Sequence, residues 1–257
     1  MPDSGDSLAH GDWPEIVRKI RARTPARLLE GRVGAAYRTA TQLDLREAHA
    51  AARDAVRSEL DLEKQFGADF IRKWGLFEVS TAATSKDEYL LQPNLGRTFP
   101  EASRSELLKR CPRQQDLQIA IGDGLSVTAV SAQVPKLFPA LWDGARACGW
   151  TLGQVFVIRH CRVGILNSIG ELLEPTVAVL LIGERPGLAT AESLSAYMAY
   201  RPRRTHTDAE RNLISNIHAR GISPAEAAVR IVELAGQMMG AKCSGTQLRA
   251  EPERLAE

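Results

Sequence analysis

A chain of 257 residues, 44% apolar and 25% charged, has an ordinary globular composition and enough length to bury the cores of one or two domains. Its 33 basic and 31 acidic residues leave a net charge of +2, a balance that neither demands nor excludes a polyanionic partner. No apolar run approaches bilayer-crossing length, the best being the strand-sized Thr176–Gly183, and residues 1–12 lack the positive start and apolar segment of a secretory leader.

Residues 1–12 read as a disordered Gly/Asp/Ser-rich tail. Trp13–Arg23 is a short basic helical segment, broken by Thr24-Pro25, and Gly31–Arg38 is loop-like. From Thr41 to about Gln65, the spacing of Leu45, Ala48, Ala52, Val56 and Leu60 predicts one amphipathic helix. Leu76–Thr81 reads as a strand and Ser85–Arg97 as a polar, turn-rich stretch. Residues 13–100 are therefore expected to form an N-terminal, mostly helical layer.

Beyond residue 100 the pattern changes. Pro100–Cys111 reads as a helix, Leu117–Ile121 as a strand, and Val127–Cys148 as a helix restarted at Pro139 and stopped by Gly149. Val155–Ile158 is a second strand, Gly164–Leu173 a short helix, and Val177–Ile182 a third strand, apolar throughout. Strands apolar on both faces and separated by helices predict an α/β unit over Asp116–Leu188, with a parallel sheet covered on both sides. Ser193–Tyr200 reads as a further strand, and Arg201–Arg204 is basic and Pro-broken. The last helix is signalled by Ser223 as cap, Pro224 in the first turn and Glu226 completing a capping box. Ala228, Ile231, Leu234/Ala235 and Met238 form its inner face, and Gly240 ends it.

Ligands of such sheets bind beyond the carboxyl ends of the strands. Three segments qualify: Gly122–Ser126, Arg159–Gly164 and Gly183–Gly187. In the first, two glycines permit close backbone approach and Ser126 can cap the next helix, whose amides suit a phosphate; a tight strand-to-helix turn is the plainer reading. Neither G-x-G-x-x-G nor G-x-x-x-x-G-K-[ST] is present. In the third, Glu184 is a poor phosphate partner but a good acceptor for amide donors, or a mate for Arg185.

Other features point to no reaction. Cys111, Cys148, Cys161 and Cys243 are scattered without C-x-x-C, as expected of reduced, mostly buried thiols in a cytoplasmic protein. His10, His49, His160, His206 and His218 lack zinc-site spacing, so no metal site is expected. Asn216-Ile217-His218-Ala219-Arg220-Gly221 differs by one residue from the D-x-H-x-x-G pattern in which histidine ligates cobalt in some B12 enzymes. Asn216 replaces the acid that orients that histidine. Ser126, Ser193 and Ser195 lack a G-x-S-x-G context, and no catalytic residue is expected. Arg18, Lys19, Arg21, Arg23, Arg27 and Arg32 face one acid, Glu30, with no interleaved aromatic. That suits a solvated face or a dock for an acidic protein surface better than nucleic acid.

Several stretches are specific enough to carry a family resemblance. They include Gly31-Arg32-Val33-Gly34, Ser85-Lys86-Asp87-Glu88-Tyr89-Leu90 with the turn at Pro93–Arg97, and Ile121-Gly122-Asp123-Gly124-Leu125-Ser126. Arg159-His160-Cys161-Arg162-Val163, Ile182-Gly183-Glu184-Arg185-Pro186-Gly187-Leu188, Ser193-Leu194-Ser195, Tyr200-Arg201-Pro202-Arg203 and Ile214-Ser215-Asn216-Ile217 follow in order. From about Thr24 to Gly245 the chain resembles the small (light) subunit of adenosylcobalamin-dependent ethanolamine ammonia-lyase.

The resemblance implies a Rossmann-like parallel sheet with helices on both faces over residues 101–257, preceded by the N-terminal helical layer. It implies a subunit of the radical enzyme that converts ethanolamine to acetaldehyde and ammonia, working with a large, TIM-barrel subunit that binds ethanolamine and does the chemistry. The small subunit closes one side of an adenosylcobalamin site shared between the chains. Val163, Glu184 and Leu213 carry over as cobalamin contacts; a family member has cysteine at the last position, where leucine keeps only an apolar or backbone contact. The family binds cobalamin with its own base on cobalt, in keeping with the imperfect histidine motif. The Gly122–Ser126 turn is then expected near the nucleotide tail. The location is cytoplasmic, or inside a bacterial microcompartment, with no membrane or nucleic-acid partner. Two other readings remain at this stage: a non-catalytic assembly or targeting subunit using the basic N-terminal helix, and a stand-alone nucleotide-binding module, which the missing glycine fingerprint and Glu184 disfavour.

Overall fold

The structure is a computed structural model that describes residues 14–24, 28, 32–187 and 190–248. The tail at 1–12, the breaker Pro25, Gly31 of the first matched stretch and Leu188 at the end of the expected unit lie outside the described residues.

The N-terminal layer is helical but not as one rod. Helix α1 (Glu15–Ala22) buries no residue, and the stretch read as a loop forms a two-stranded hairpin, β1 (Arg32–Val33) with β2 (Ala36–Tyr37), fully exposed. The single helix expected to Gln65 is two: α2 (Thr39–Arg57) and α3 (Leu62–Trp74), kinked at Gly67. The break follows from Asp61, which caps α3 by accepting the Lys64 N–H at 3.1 Å, while Gln65 accepts the Asp61 N–H at 2.7 Å. The apolar spacing ran across this break because Leu60 is buried in the core from the linker itself.

The main sheet has six strands: β3 (Glu78–Ser80), β4 (Leu117–Gly122), β5 (Phe156–Arg159), β6 (Val177–Gly183), β7 (Leu194–Tyr200) and β8 (Asn212–Ile217), in the order β3-β5-β4-β6-β7-β8. The first four in space are parallel, as expected, and β7 and β8 add an antiparallel edge. Strand β3, which precedes residue 100, belongs to the same sheet.

Alternation builds the two faces. Val177, Val179 and Leu181 of β6 point into one core with α6 (Val127–Ala147) and α8 (Pro224–Ala241); Ala178, Leu180 and Ile182 point into the other with α5 (Glu101–Arg110) and α7 (Ile165–Leu173). Burying such a strand on both faces contributes about 1.5–3 kcal/mol per large side chain, before entropy. Helix α6 runs unbroken through Pro135 and Pro139 instead of restarting, held by Leu137, Phe138 and Leu141 against the core. Helix α8 begins as read, with the Ser223 hydroxyl accepting the Glu226 N–H at 3.2 Å, but the Glu226 carboxylate takes Arg230. It ends one residue past Gly240, with Lys242 in the left-handed conformation.

Candidate functional site

The loops at the carboxyl ends of β4 and β5 are tied together by one buried residue. Asp123 follows β4, is fully buried, and accepts the backbone N–H groups of His160 at 2.9 Å and Cys161 at 2.8 Å. The Lys86 ammonium, also buried, lies 3.6 Å from the same carboxylate. Burial pushes the Asp123 carboxyl above the usual carboxylate range, while Lys86 and the two amides oppose that rise.

Lys86 comes from α4 (Lys86–Leu91), inside the stretch read as turns. The missed signal was a cap: Ser85 accepts the Glu88 N–H at 3.2 Å. From α4, the Tyr89 hydroxyl donates to the Cys161 carbonyl at 2.9 Å, and the Arg162 guanidinium stacks over the Tyr89 ring at 4.1 Å. The 160–164 loop is thus fixed from beneath.

The β4–α6 turn, in contrast, faces protein. A Cβ on Gly122 would sit 2.6 Å from Cys161 Sγ, and one on Gly124 2.2 Å from the Gly183 carbonyl. Ser126 caps α6 through the Ala129 N–H and donates to the Ala191 carbonyl. These contacts suit the plainer reading of a strand-to-helix turn that holds its neighbours.

Val163, Glu184 and Leu213 are each related to a residue the sequence did not single out, Tyr197. Val163, at the end of the fixed loop, and Tyr197 pack on the same core and line the same cavity. Leu213 pairs with Tyr197 across β7 and β8 and is 47% exposed, an apolar side chain facing outward. Burial first, and then the neighbouring Glu184 carboxylate, pushes the Tyr197 phenol up to about 12. Glu184 makes no ion pair with Arg185, the mate the sequence offered.

Beside Val163 and Tyr197 opens a cavity of about 940 Å³. Arg97, Arg104, Arg162, Arg204 and Arg211 line it against only two carboxylates, Glu171 and Asp208. These arginines are spread over more than a hundred positions of sequence, so only the fold assembles them.

A family model for the ethanolamine ammonia-lyase light chain matches residues 14–249. The chain belongs to that family. Ethanolamine ammonia-lyase small subunits among its relatives include that of Clostridium perfringens, 41% identical over 235 residues, covering 91% of this chain and 78% of the relative. That of Clostridioides difficile is 42% identical over 235 residues, with the same coverage. The Fusobacterium nucleatum protein is 40% identical over 255 residues, covering 95% and 84%.

A light chain is one subunit of a lyase and implies a larger partner in a hetero-oligomer. Membership removes the stand-alone nucleotide-binding reading. The near-miss histidine also takes a structural role in this light chain: His218 is buried, its Nδ1 accepts the Arg220 N–H at 3.2 Å, and burial lowers its basicity. Among the described residues no cluster of His, Cys, Asp or Glu could hold a metal, and no helix is long and apolar enough to cross a membrane. Cys111 and Cys161 are buried, whereas Cys148 is exposed and Cys243 half-buried, so the thiols are less uniformly buried than expected.

Proposed function

We propose that this chain is the small subunit of an adenosylcobalamin-dependent ethanolamine ammonia-lyase and closes the cobalamin site against the large subunit. The observation that carries the reading is that Val163 and Tyr197 line one large cavity while Leu213 pairs with Tyr197 across the outer strands and stands exposed. The donor set suits a corrin ring, which has an apolar face ringed by neutral amides. Leu213 offers exposed apolar surface, and Val163 offers more at the end of the loop that Asp123 fixes. The Glu184 carboxylate has the lone pairs to accept amide N–H groups. The neighbouring Tyr197 phenol keeps its proton at neutral pH.

The chemistry supplied by bound adenosylcobalamin is radical formation by cobalt–carbon cleavage, used to turn ethanolamine into acetaldehyde and ammonia. This chain's residues bind, orient and exclude water; ethanolamine and the catalytic groups are assigned to the large subunit. The location is the cytoplasm or a bacterial microcompartment. The second reading, an assembly or targeting role, is favoured by α1, whose described residues bury nothing although Ile16 and Ile20 are apolar.

The test is Glu184→Gln in the assembled complex, with cobalamin affinity read by visible absorbance and ethanolamine affinity by kinetics. Cobalamin affinity is expected to fall more than ethanolamine affinity. Unchanged cobalamin affinity contradicts the role of Glu184.

A further inference from the structure

We propose that Glu59, in the linker between α2 and α3, is a positioning residue: through the His160 ring it fastens the N-terminal layer to the loop after β5, and only while both ring nitrogens carry hydrogen. The bearing of that loop on function rests on the cobalamin reading above, through Val163. The first support is what surrounds the ring. His160 is 4% exposed, its backbone is left-handed at φ +58°, and its ring stacks on Tyr89 with centroids 5.7 Å apart. Nδ1 lies 3.1 Å from the Ala83 carbonyl, which only accepts, so Nδ1 carries hydrogen. Nε2 is buried without a hydrogen-bond partner among the described residues, and the Glu59 carboxylate faces it at 3.4 Å.

The second is chemical. A neutral ring with hydrogen on Nδ1 turns the bare lone pair of Nε2 toward a carboxylate oxygen, acceptor against acceptor. The imidazolium instead donates to Ala83 from one nitrogen and offers the other to Glu59 as a charge-assisted contact. The charge of this ring also reaches Glu88 of α4 and Asp123 after β4. The cations on the elements around it each have a partner of their own. Lys86 lies 3.6 Å from Asp123, Arg159 lies 2.9 Å from Glu78, and Arg162 lies over the Tyr89 ring.

The third is connection. Beside Glu59, Leu60 is buried in the core, and Arg57 pairs with Asp87 of α4 at 2.9 Å. The linker is therefore fixed on either side of Glu59, whose carboxylate meets the loop that Asp123 binds through its 160 and 161 amides. Glu59 also lies 3.8 Å from Arg159. Arg159 stays charged across the range in which histidine titrates, so its share of the contact does not vary with pH there.

The test compares thermal unfolding of the full chain, wild type and Glu59→Gln, from roughly pH 5.5 to 8.5, where histidine titrates. The Glu59 side chain is 49% exposed, so the fold is not at stake. Stability contributed by the imidazolium contact is present at the acid end and lost as pH rises. Wild type is expected to melt roughly 2–4 °C above Glu59→Gln at the acid end. The gap is expected to close or reverse at the alkaline end, where the glutamine amide can donate to bare Nε2. Comparing the two chains at each pH cancels the other groups that titrate in both, His206 and His218 among them. Asparagine tolerates a left-handed backbone, so His160→Asn supplies the control: in that background the effect of Glu59→Gln is expected to be the same at every pH. A gap that stays constant with pH, or a pH dependence that survives His160→Asn, overturns the inference.

Adenosylcobalamin titrations of the assembled large–small complex, followed by visible absorbance, separate this inference from the reading it rests on. Glu59→Gln is expected to weaken affinity severalfold at the acid end and not at the alkaline end. Equal affinity of both complexes at every pH overturns the positioning role and leaves the cobalamin reading standing. Failure of the wild-type complex to bind cobalamin at all removes that reading, while the contact between Glu59 and His160 still stands or falls on the melting gap.

Discussion

Lys86 and Asp123 form a buried ion pair, 3.6 Å apart, and the carboxylate of that pair holds the backbone of the loop ending in Val163. A buried charge left without its partner typically destabilises a protein by ~3–5 kcal/mol. Lys86→Met is therefore expected to cost roughly 3 kcal/mol in denaturant unfolding. Adding Asp123→Asn is expected to recover part of the loss. A change below about 1 kcal/mol for Lys86→Met, within the range of exposed pairs, would contradict the structural role assigned to the pair.

The contact between Gly124 and Gly183 is testable by comparing two glycines with similar φ. Gly34 has φ +60° and nothing within 4 Å of an added Cβ, whereas Gly124 has φ +56° and the Gly183 carbonyl at 2.2 Å. Gly34→Ala is expected to cost about 1 kcal/mol, the conformational penalty alone. Gly124→Ala adds overpacking against backbone and is expected to cost more than ~3 kcal/mol. Equal melting temperatures for the two variants would sink the argument.

Tyr197 gives the site a titration signature. Its phenol is raised from the ordinary 10 to about 12 in the folded chain. The folded state therefore favours the protonated form. The associated stability is fully present below pH 10 and is lost as pH rises through about 12. Phenolate absorbance is expected to show a late transition that disappears in Tyr197→Phe and moves to lower pH in Glu184→Gln, where the neighbouring negative charge is gone. A Glu184→Gln curve superimposing on wild type would disprove the influence of Glu184 on the phenol.

Leu213 tests whether the outer strand contributes an apolar contact or a thiol. Leu213→Cys is expected to leave cobalamin affinity of the complex within about threefold, the loss from modest trimming of apolar surface. Leu213→Asp puts a charge on that surface and is expected to weaken binding about tenfold or more. Tighter binding by the cysteine variant than by wild type would instead show that the thiol carries a specific role.

The parts of the fold legible in the sequence are those where burial dictates composition. β4 and β6 read as continuous apolar runs because both faces are covered, and α8 announced itself through Ser223 and Pro224. β8 was not read as a strand because it is a half-exposed edge, Asn212-Leu213-Ile214-Ser215-Asn216-Ile217, whose polar residues hide the alternation. That gap concealed the pairing of Leu213 with Tyr197. Asp123 was noticed only as part of a glycine-rich turn, since its partners Lys86, His160 and Cys161 are distant in sequence and meet only when the sheet closes. The cationic cavity is hidden for the same reason: Arg97, Arg162 and Arg211 are distant in sequence and line one cavity only in the fold.

The central claim is that this chain supplies one side of a cobalamin site shared with the large subunit. Titration of adenosylcobalamin into the large subunit, with and without this chain, tests it directly. The account, in which Val163, Glu184 and Leu213 are the proposed contacts, predicts tight binding only for the assembled pair. Equal affinity for the large subunit alone would contradict it.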